Sequence, residues 1–124
     1  MGFGSINRLK AEFPNRIINC GIMEQGMVGI AAGLSLSGMI PVVYTIVNFL
    51  CFRALEQIRN DIVLQDLNVK LIGTGADDYF AFLGRSHTCG TDDIEIFNLI
   101  GLPVYEGGAF TSWIESDKAG YIRV

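Results

Sequence analysis

From Gln25 to Phe52 the chain runs for 28 residues without a charged side chain, which is longer than a bilayer span requires. A stretch of that kind must be buried, either in lipid or in a protein core. Its interior decides between the two. Gly38-Met39-Ile40-Pro41 breaks the run, and the second half opens on the β-rich Val42-Val43-Tyr44-Thr45 before turning helical again. A helix, a turn and a buried strand account for it better than a membrane span.

The rest of the composition agrees with a buried sheet. Half of the 124 residues are apolar, 18% are charged and the mean hydropathy is +0.38, which excludes a disordered chain and suggests a sheet covered on both faces or a surface held against a partner. One domain over residues 1–124 is expected at this length. Thirteen acids against nine bases give a net charge of −4, and the bases are scattered. No basic stripe forms, so nucleic acid is not an expected partner. Cys20, Cys51 and Cys89 are odd in number and far apart, with no Cys-x-x-Cys, which argues for reduced, buried thiols in a cytoplasmic protein. No leader-like segment opens the sequence, and Met1-Gly2 lacks the Ser or Thr at the sixth position that myristoylation favours.

Along the chain, helical and extended patterns alternate. The spacing predicts a short helix over Ser5–Phe13 with Ser5 as its N-cap, a strand at Arg16–Asn19, and a helix over Met23–Ser37 whose core face is Met23, Met27, Ile30, Ala31 and Leu34. Gly26, Gly29, Ala32 and Gly33 make a second, small-residue face, expected where another backbone comes close. A strand at Val42–Thr45, a helix over Phe49–Gln65 and a strand at Val69–Gly73 follow. Thr74–Cys89 is an irregular stretch of the kind that is usually functional or mobile. A helix capped by Thr91-Asp92-Asp93, a strand at Pro103–Tyr105, a short helix at Phe110–Glu115 and a strand at Tyr121–Val124 complete the chain. Strands alternating with helices imply βαβ crossovers, hence an α/β fold: three layers, α/β/α, around a mostly parallel sheet. In such folds ligands gather where strands end and helices begin, which picks out Asn19–Gln25, Thr45–Phe49 and Gly73–His87.

Glu24 falls in the first turn of a largely apolar helix, where an acid also serves simply to complement the helix dipole. Phe49 and Phe52 lie one turn apart with Ile46 upstream, an arrangement that suits a planar ligand but equally suits a core. His87 is the sole histidine and is either a proton-transfer group or a structural hydrogen bonder. Asp77-Asp78 and Asp92-Asp93 lack the ligand spacing of calcium or zinc sites and read as a solvated loop and a helix cap, so no metal site is expected in this chain. Neither glycine-rich nucleotide loop occurs.

The run from Arg16 through Cys20-Gly21-Ile22-Met23-Glu24-Gln25 to Gly38 closely resembles the pyrimidine-binding domain of transketolase and its thiamine-diphosphate relatives, including deoxyxylulose-phosphate synthase. Ile40-Pro-Val-Val-Tyr-Thr, Phe49-Leu, Arg53-Ala-Leu-Glu-Gln-Ile-Arg-Asn-Asp, Asn68-Val-Lys, Ser86-His87 and Asp93-Ile-Glu-Ile continue it in the family's order. The resemblance implies that Glu24 hydrogen-bonds the cofactor's aminopyrimidine nitrogen para to the amino group, favouring the imino tautomer that takes a proton from the thiazolium carbon. It implies that Phe49 stacks on the pyrimidine, with Phe52 and Ile46 at neighbouring pocket positions, and that His87 stands near the substrate's hydroxyls.

The same resemblance implies partners. The Gly-Asp-Gly and downstream Asn that hold Mg²⁺ and diphosphate in the family do not occur here, so thiamine diphosphate is expected to bind only with a diphosphate-binding subunit or domain, in a homo- or hetero-oligomer. A first βα element of the family precedes the point at which this sequence begins to match, so it is expected to be missing here. Phe82-Leu83-Gly84-Arg85 stands where the family has a Gly-Glu-Asp-Gly element before its histidine, so the resemblance carries over no particular substrate. The expected activity is transfer of a ketol-type fragment between sugar phosphates or related oxo compounds. The rivals are a non-catalytic interaction subunit of the same fold, a deoxyxylulose-phosphate synthase, and a 2-oxoacid dehydrogenase β-type subunit, the last disfavoured by the Arg53–Asp61 block.

Overall fold

The computed structural model describes residues 4–124. The β-branched runs at Val42–Ile46 (β1), Lys70–Thr74 (β2), Val104–Glu106 (β3) and Gly120–Arg123 (β4) pair into one sheet in the order β1-β2-β4-β3. Every pairing is parallel, so each strand returns through a helical crossover. Around the sheet lie α1 (Gly4–Glu12), α2 (Glu24–Leu36), α3 (Val47–Arg53), α4 (Leu55–Gln57) running into a π-helical segment Ile58–Val63, α5 (Asp92–Leu99) and α6 (Phe110–Glu115). Two glycines show how the layers close on the sheet. The Tyr121 ring lies across Gly73, where a Cβ would come within 2.7 Å of it. On the opposite face Trp113 and Tyr105 cover Gly120, at 3.1 and 2.9 Å from a Cβ there. The Tyr121 face meets α2, α3, the π segment and α5 in the main core, and α6 covers the other face through Trp113, whose Nε1–H donates to the Gly120 carbonyl at 2.9 Å.

Lys70 is the one charge in its strand and is fully buried. Its ammonium donates to the carbonyls of Ser116 (2.8 Å) and Lys118 (2.6 Å), closing the end of α6 against the sheet, while burial lowers its pKa against the opposing pull of Asp117.

Several sequence expectations need correction. No strand forms at Arg16–Asn19: Pro14–Arg16 is a turn, the segment after it lies along the surface with Ile18 exposed, and Asn19 Oδ1 accepts from the Gly21 N–H instead. Ser5 lies within α1 rather than ahead of it. The buried face of α2 is Glu24, Val28, Ala31 and Ala32, leaving Met23 and Ile30 exposed. Gly29 and Gly33 meet nothing within 4 Å, so no described element of this chain makes the close approach expected of them. Thr91 begins α5 without a side-chain capping bond. The expected helix Phe49–Gln65 is broken at Ala54 (φ −107°, ψ 12°) and widened into the π segment. The reason lies in its spacing. Leu50, Ala54, Ile58 and Ile62 are all fully buried at intervals of four, and a straight α-helix would rotate that row by about 40° per interval. The bend and the wider i→i+5 turns keep it facing the core.

Asp93 is also fully buried rather than a helix cap at the surface. Its carboxylate accepts from Tyr121 Oη–H (2.7 Å) and Arg123 Nε–H (2.8 Å). Arg123 in turn pairs with Asp77 at 3.0 Å, and Asp78 accepts the Gly90 N–H at 2.8 Å. The acidic pairs are therefore tethers between α5, β4 and the long loop. Removing one partner of such a buried pair typically costs about 3–5 kcal/mol.

Cys51 and Cys89 are buried and Cys20 is half-buried; all three are free thiols. Burial first, then nearby Cys89 and the α5 acids, push Cys51 up to about 12; burial and Asp93 push Cys89 up to about 11. A thiol with a raised folded pKa contributes stability that is complete below its free value of 9.0 and is lost as pH climbs through the folded value. Urea unfolding should thus show stability falling from pH 9 toward pH 11–12 by up to about 1.4 kcal/mol per pH unit per thiol, and the Cys51→Ala/Cys89→Ala variant should lose that part of the slope.

Candidate functional site

In a parallel sheet all strands end on one side, and the loops leaving those ends define a common rim. Here β1 ends at Ile46 and passes directly into α3, so the rim carries Asn48 and Phe49 on the first turn of that helix. β2 ends at Thr74 and opens the long loop, which folds into two 3₁₀ turns, Ala81–Leu83 and Arg85–His87. α2 presents its first residue, Glu24, toward the end of β1. Sequence pattern, helix start and strand end converge there.

Glu24 is 7% exposed. Thr45 Oγ1 lies 3.5 Å from its Oε1, and Arg53 Nη1–H donates to Oε2 at 3.2 Å. The Arg53 guanidinium carbon sits 3.9 Å over the centre of the Phe49 ring, close enough for a cation–π contact. The opposite neighbour of Phe49 is His87, edge-on with ring centres 5.0 Å apart and planes at 71°. Ser86 Oγ is 3.0 Å from His87 Nδ1; a hydroxyl donated there leaves the ring proton on Nε2. Asn48, buried, donates its Nδ2–H to the Ser86 carbonyl, fastening the histidine turn to α3. Asn48 Oδ1 is buried without a hydrogen-bond partner among the described residues, an orphan acceptor beside Phe49 in sequence.

Of the residues singled out from sequence, Glu24, Phe49 and His87 thus form one chain of contacts, linked by Arg53. Ile46 is half-buried at the end of β1. Phe52 is exposed and lines an open cleft with Gln25, Arg53 and Arg59 on the flank of α3 and α4, outside the Glu24–Phe49–His87 contact chain. Arg53 and Asn48 were not singled out from sequence. Arg53 sits four residues after Phe49, a helical neighbour whose partner could be sought among acids at the rim. Nothing in the local pattern signals the Asn48 tie, which joins residues 38 apart. Among the described residues no three His, Cys, Asp or Glu side chains converge as a metal site, and no helix is long and apolar enough to cross a membrane.

Residues 3–100 match the sequence pattern of the transketolase pyrimidine-binding domain. The chain belongs to that family. Among its relatives, one of the two subunits of an apulose-4-phosphate transketolase from Actinobacillus succinogenes is 40% identical over 90 residues, 73% of this chain and 29% of the relative. The 6-deoxy-6-sulfo-D-fructose transketolase subunit SqwH of Clostridium sp. is 30% identical over 131 aligned positions, covering 100% of this chain and 41% of that protein. A solved split-gene transketolase, described as an inactive β4 tetramer, superposes with a TM-score of 0.79 at 33% identity over 93% of this chain and 39% of that one. The chain spans less than half the length of these relatives. The three-layer α/β/α arrangement of the transketolase fold is therefore both observed here and shared with the family.

The Asn48 tie makes a local prediction. Asn48→Ala should raise amide exchange across Arg85–Thr88 and lower stability by about 1–3 kcal/mol, because a buried polar partner is removed. Unchanged exchange in that turn would show that the tie does not hold the histidine.

Proposed function

We propose that residues 1–124 form the pyrimidine-binding unit of a thiamine-diphosphate-dependent, transketolase-type transferase, completed by a diphosphate-binding subunit or domain that holds Mg²⁺. The observation that carries this reading is the Glu24 carboxylate: buried, at the head of α2, and placed at the rim beside an aromatic face. A buried carboxylate is costly unless polar groups satisfy it. Here its companions are a hydroxyl at long range and one half-exposed arginine. That leaves capacity for a ligand nitrogen, and the unpartnered Asn48 Oδ1 suits a group that brings N–H donors. The donor set fits an aminopyrimidine.

When bound, thiamine diphosphate supplies the carbon nucleophile and electron sink for moving a ketol-type fragment. The work of this chain is to bind, orient and exchange protons. Glu24 holds a hydrogen bond to a pyrimidine ring nitrogen, Phe49 offers its face, and Ile46 and Phe52 extend the apolar wall. His87, fixed by Ser86 and the Asn48 tie, reaches the substrate's hydroxyls and serves as the proton-transfer group. Sugar-phosphate-like substrates accord with those for which the relatives are named. The open glycine face of α2, flanked by exposed Ile22, Ile30 and Leu36, supports burial of that helix in an oligomer.

Two measurements test the reading. Glu24→Gln in the reconstituted complex should leave folding nearly intact, since a first-turn charge is worth about 0.3–1 kcal/mol, while turnover and exchange of the cofactor's thiazolium proton fall about 10²–10⁴-fold. Survival of both within about twofold would return Glu24 to a helix-dipole role in a non-catalytic interaction subunit. Calorimetry of this chain alone with thiamine diphosphate and Mg²⁺ should show no binding tighter than about millimolar, because stacking and one hydrogen bond barely offset association entropy. Micromolar binding would refute the division of the site between two chains or domains.

A further inference from the structure

Arg53 holds the same two groups that the proposed reading assigns to the pyrimidine. Its guanidinium is planar, carries N–H donors, lies 3.9 Å over Phe49 and bonds the Glu24 carboxylate at 3.2 Å. A flat aminopyrimidine would bring the same attributes to the same partners. Two planar groups cannot share one face of one ring and the same carboxylate oxygen, so one must leave when the other arrives. The arginine is equipped to leave: its side chain is 48% exposed, whereas that of Glu24 is 8% exposed. It emerges at the last residue of α3, next to the bend at Ala54, and it borders the open cleft lined by Gln25, Phe52 and Arg59, which gives a long cationic side chain a solvated place to go.

We propose that Arg53 is an internal competitor for the pyrimidine slot, a residue that occupies the Glu24–Phe49 pair until the cofactor's ring displaces it and that thereby sets the apparent cofactor affinity. The proposal rests on the pyrimidine-binding reading. A site populated in its accessible form only part of the time binds with an affinity reduced by that fraction. The contacts opposing entry are one cation–π contact and one half-exposed ion pair, each weak in water. The arginine thus acts as a displaceable guard rather than a block, keeping the buried carboxylate paired and solvent off the aromatic face.

The test is cofactor affinity in the complex assembled with its diphosphate-binding partner, with thiamine diphosphate and Mg²⁺ as the probe. Arg53→Ala and Arg53→Met, the second keeping the apolar stem, should both bind about three- to tenfold more tightly than the parent and load faster. A gain of affinity is a result that general damage to the fold does not produce. Equal or weaker binding by both variants, with unchanged melting temperature, would overturn the proposal and make Arg53 a prop for Glu24. Glu24→Gln and Phe49→Ala, measured alongside, should weaken binding; if neither does, the pyrimidine-slot reading itself fails, whatever Arg53 shows.

Discussion

The buried carboxylate of Asp93 is the contact on which the working rim depends. Four parallel strands leave four sets of chain ends on one side of the sheet, and nothing in strand pairing fixes the loops that leave it. Asp93 fixes one of them at a distance. Through Tyr121 and Arg123 it binds α5 to the central strand β4, and Arg123 passes the restraint to Asp77 in the long loop. Burial works against the charge on Arg123, but the hydrogen bond and attraction from Asp93 outweigh it and raise its pKa, while burial together with Asp93 raises that of Tyr121. The phenol and guanidinium therefore keep their protons across the physiological range, and the network stays intact there. The loop anchored in this way is the one that carries Ser86 and His87, which Asn48 then fastens to α3 from the other end.

Two tethers with different chemistry hold the same loop. The Asp93 network is ionic and fully buried, so its loss exposes an unpaired charge to the core. The Asn48 tie is a single neutral side chain on a backbone carbonyl, weaker and closer to the histidine. Between them, residues 79–83 project Tyr79, Phe82 and Leu83 into solvent. The rim is thus rigid where it meets α3 and open where it faces outward, a division suited to fixing a proton-transfer group while leaving room for a substrate.

Much of this was legible in the sequence because it rests on local pattern. The Gly38–Pro41 break fixed the end of α2 and the start of β1 to within a residue, and Glu24 stood out because a helix began on it directly after an extended segment. What was hidden rests on non-local chemistry. The rotation of α2 toward Val28 and Ala32 depends on which neighbour packs against it, and Ile30 is exposed despite a helical spacing identical to that of a core residue. Arg16–Asn19 has β propensity but no strand beside it to complete a ladder. Asp93 looked like a cap because acids gather in first turns; its partner lies 30 residues away, and the clue was Arg123, a lone cation in the otherwise apolar strand Tyr121-Ile122-Arg123. A charge in the interior of a buried strand requires a buried counter-charge.

The same rule explains why the site forms where it does. Glu24 is the first charge met after the turn at Gly21 and the only one on the buried face of α2, so it had to lie where polar partners could reach it. The single place along that helix offering them is its beginning, beside the end of β1 with its Thr45 hydroxyl and within reach of the last residue of α3. Moved one turn further into α2, the carboxylate would face the apolar core and would need about 2–7 kcal/mol of compensation for a lost polar partner. The uncharged run that follows Glu24 is thus the complement of the acid: one buries the helix, and the other marks the point where burial must stop and chemistry can begin.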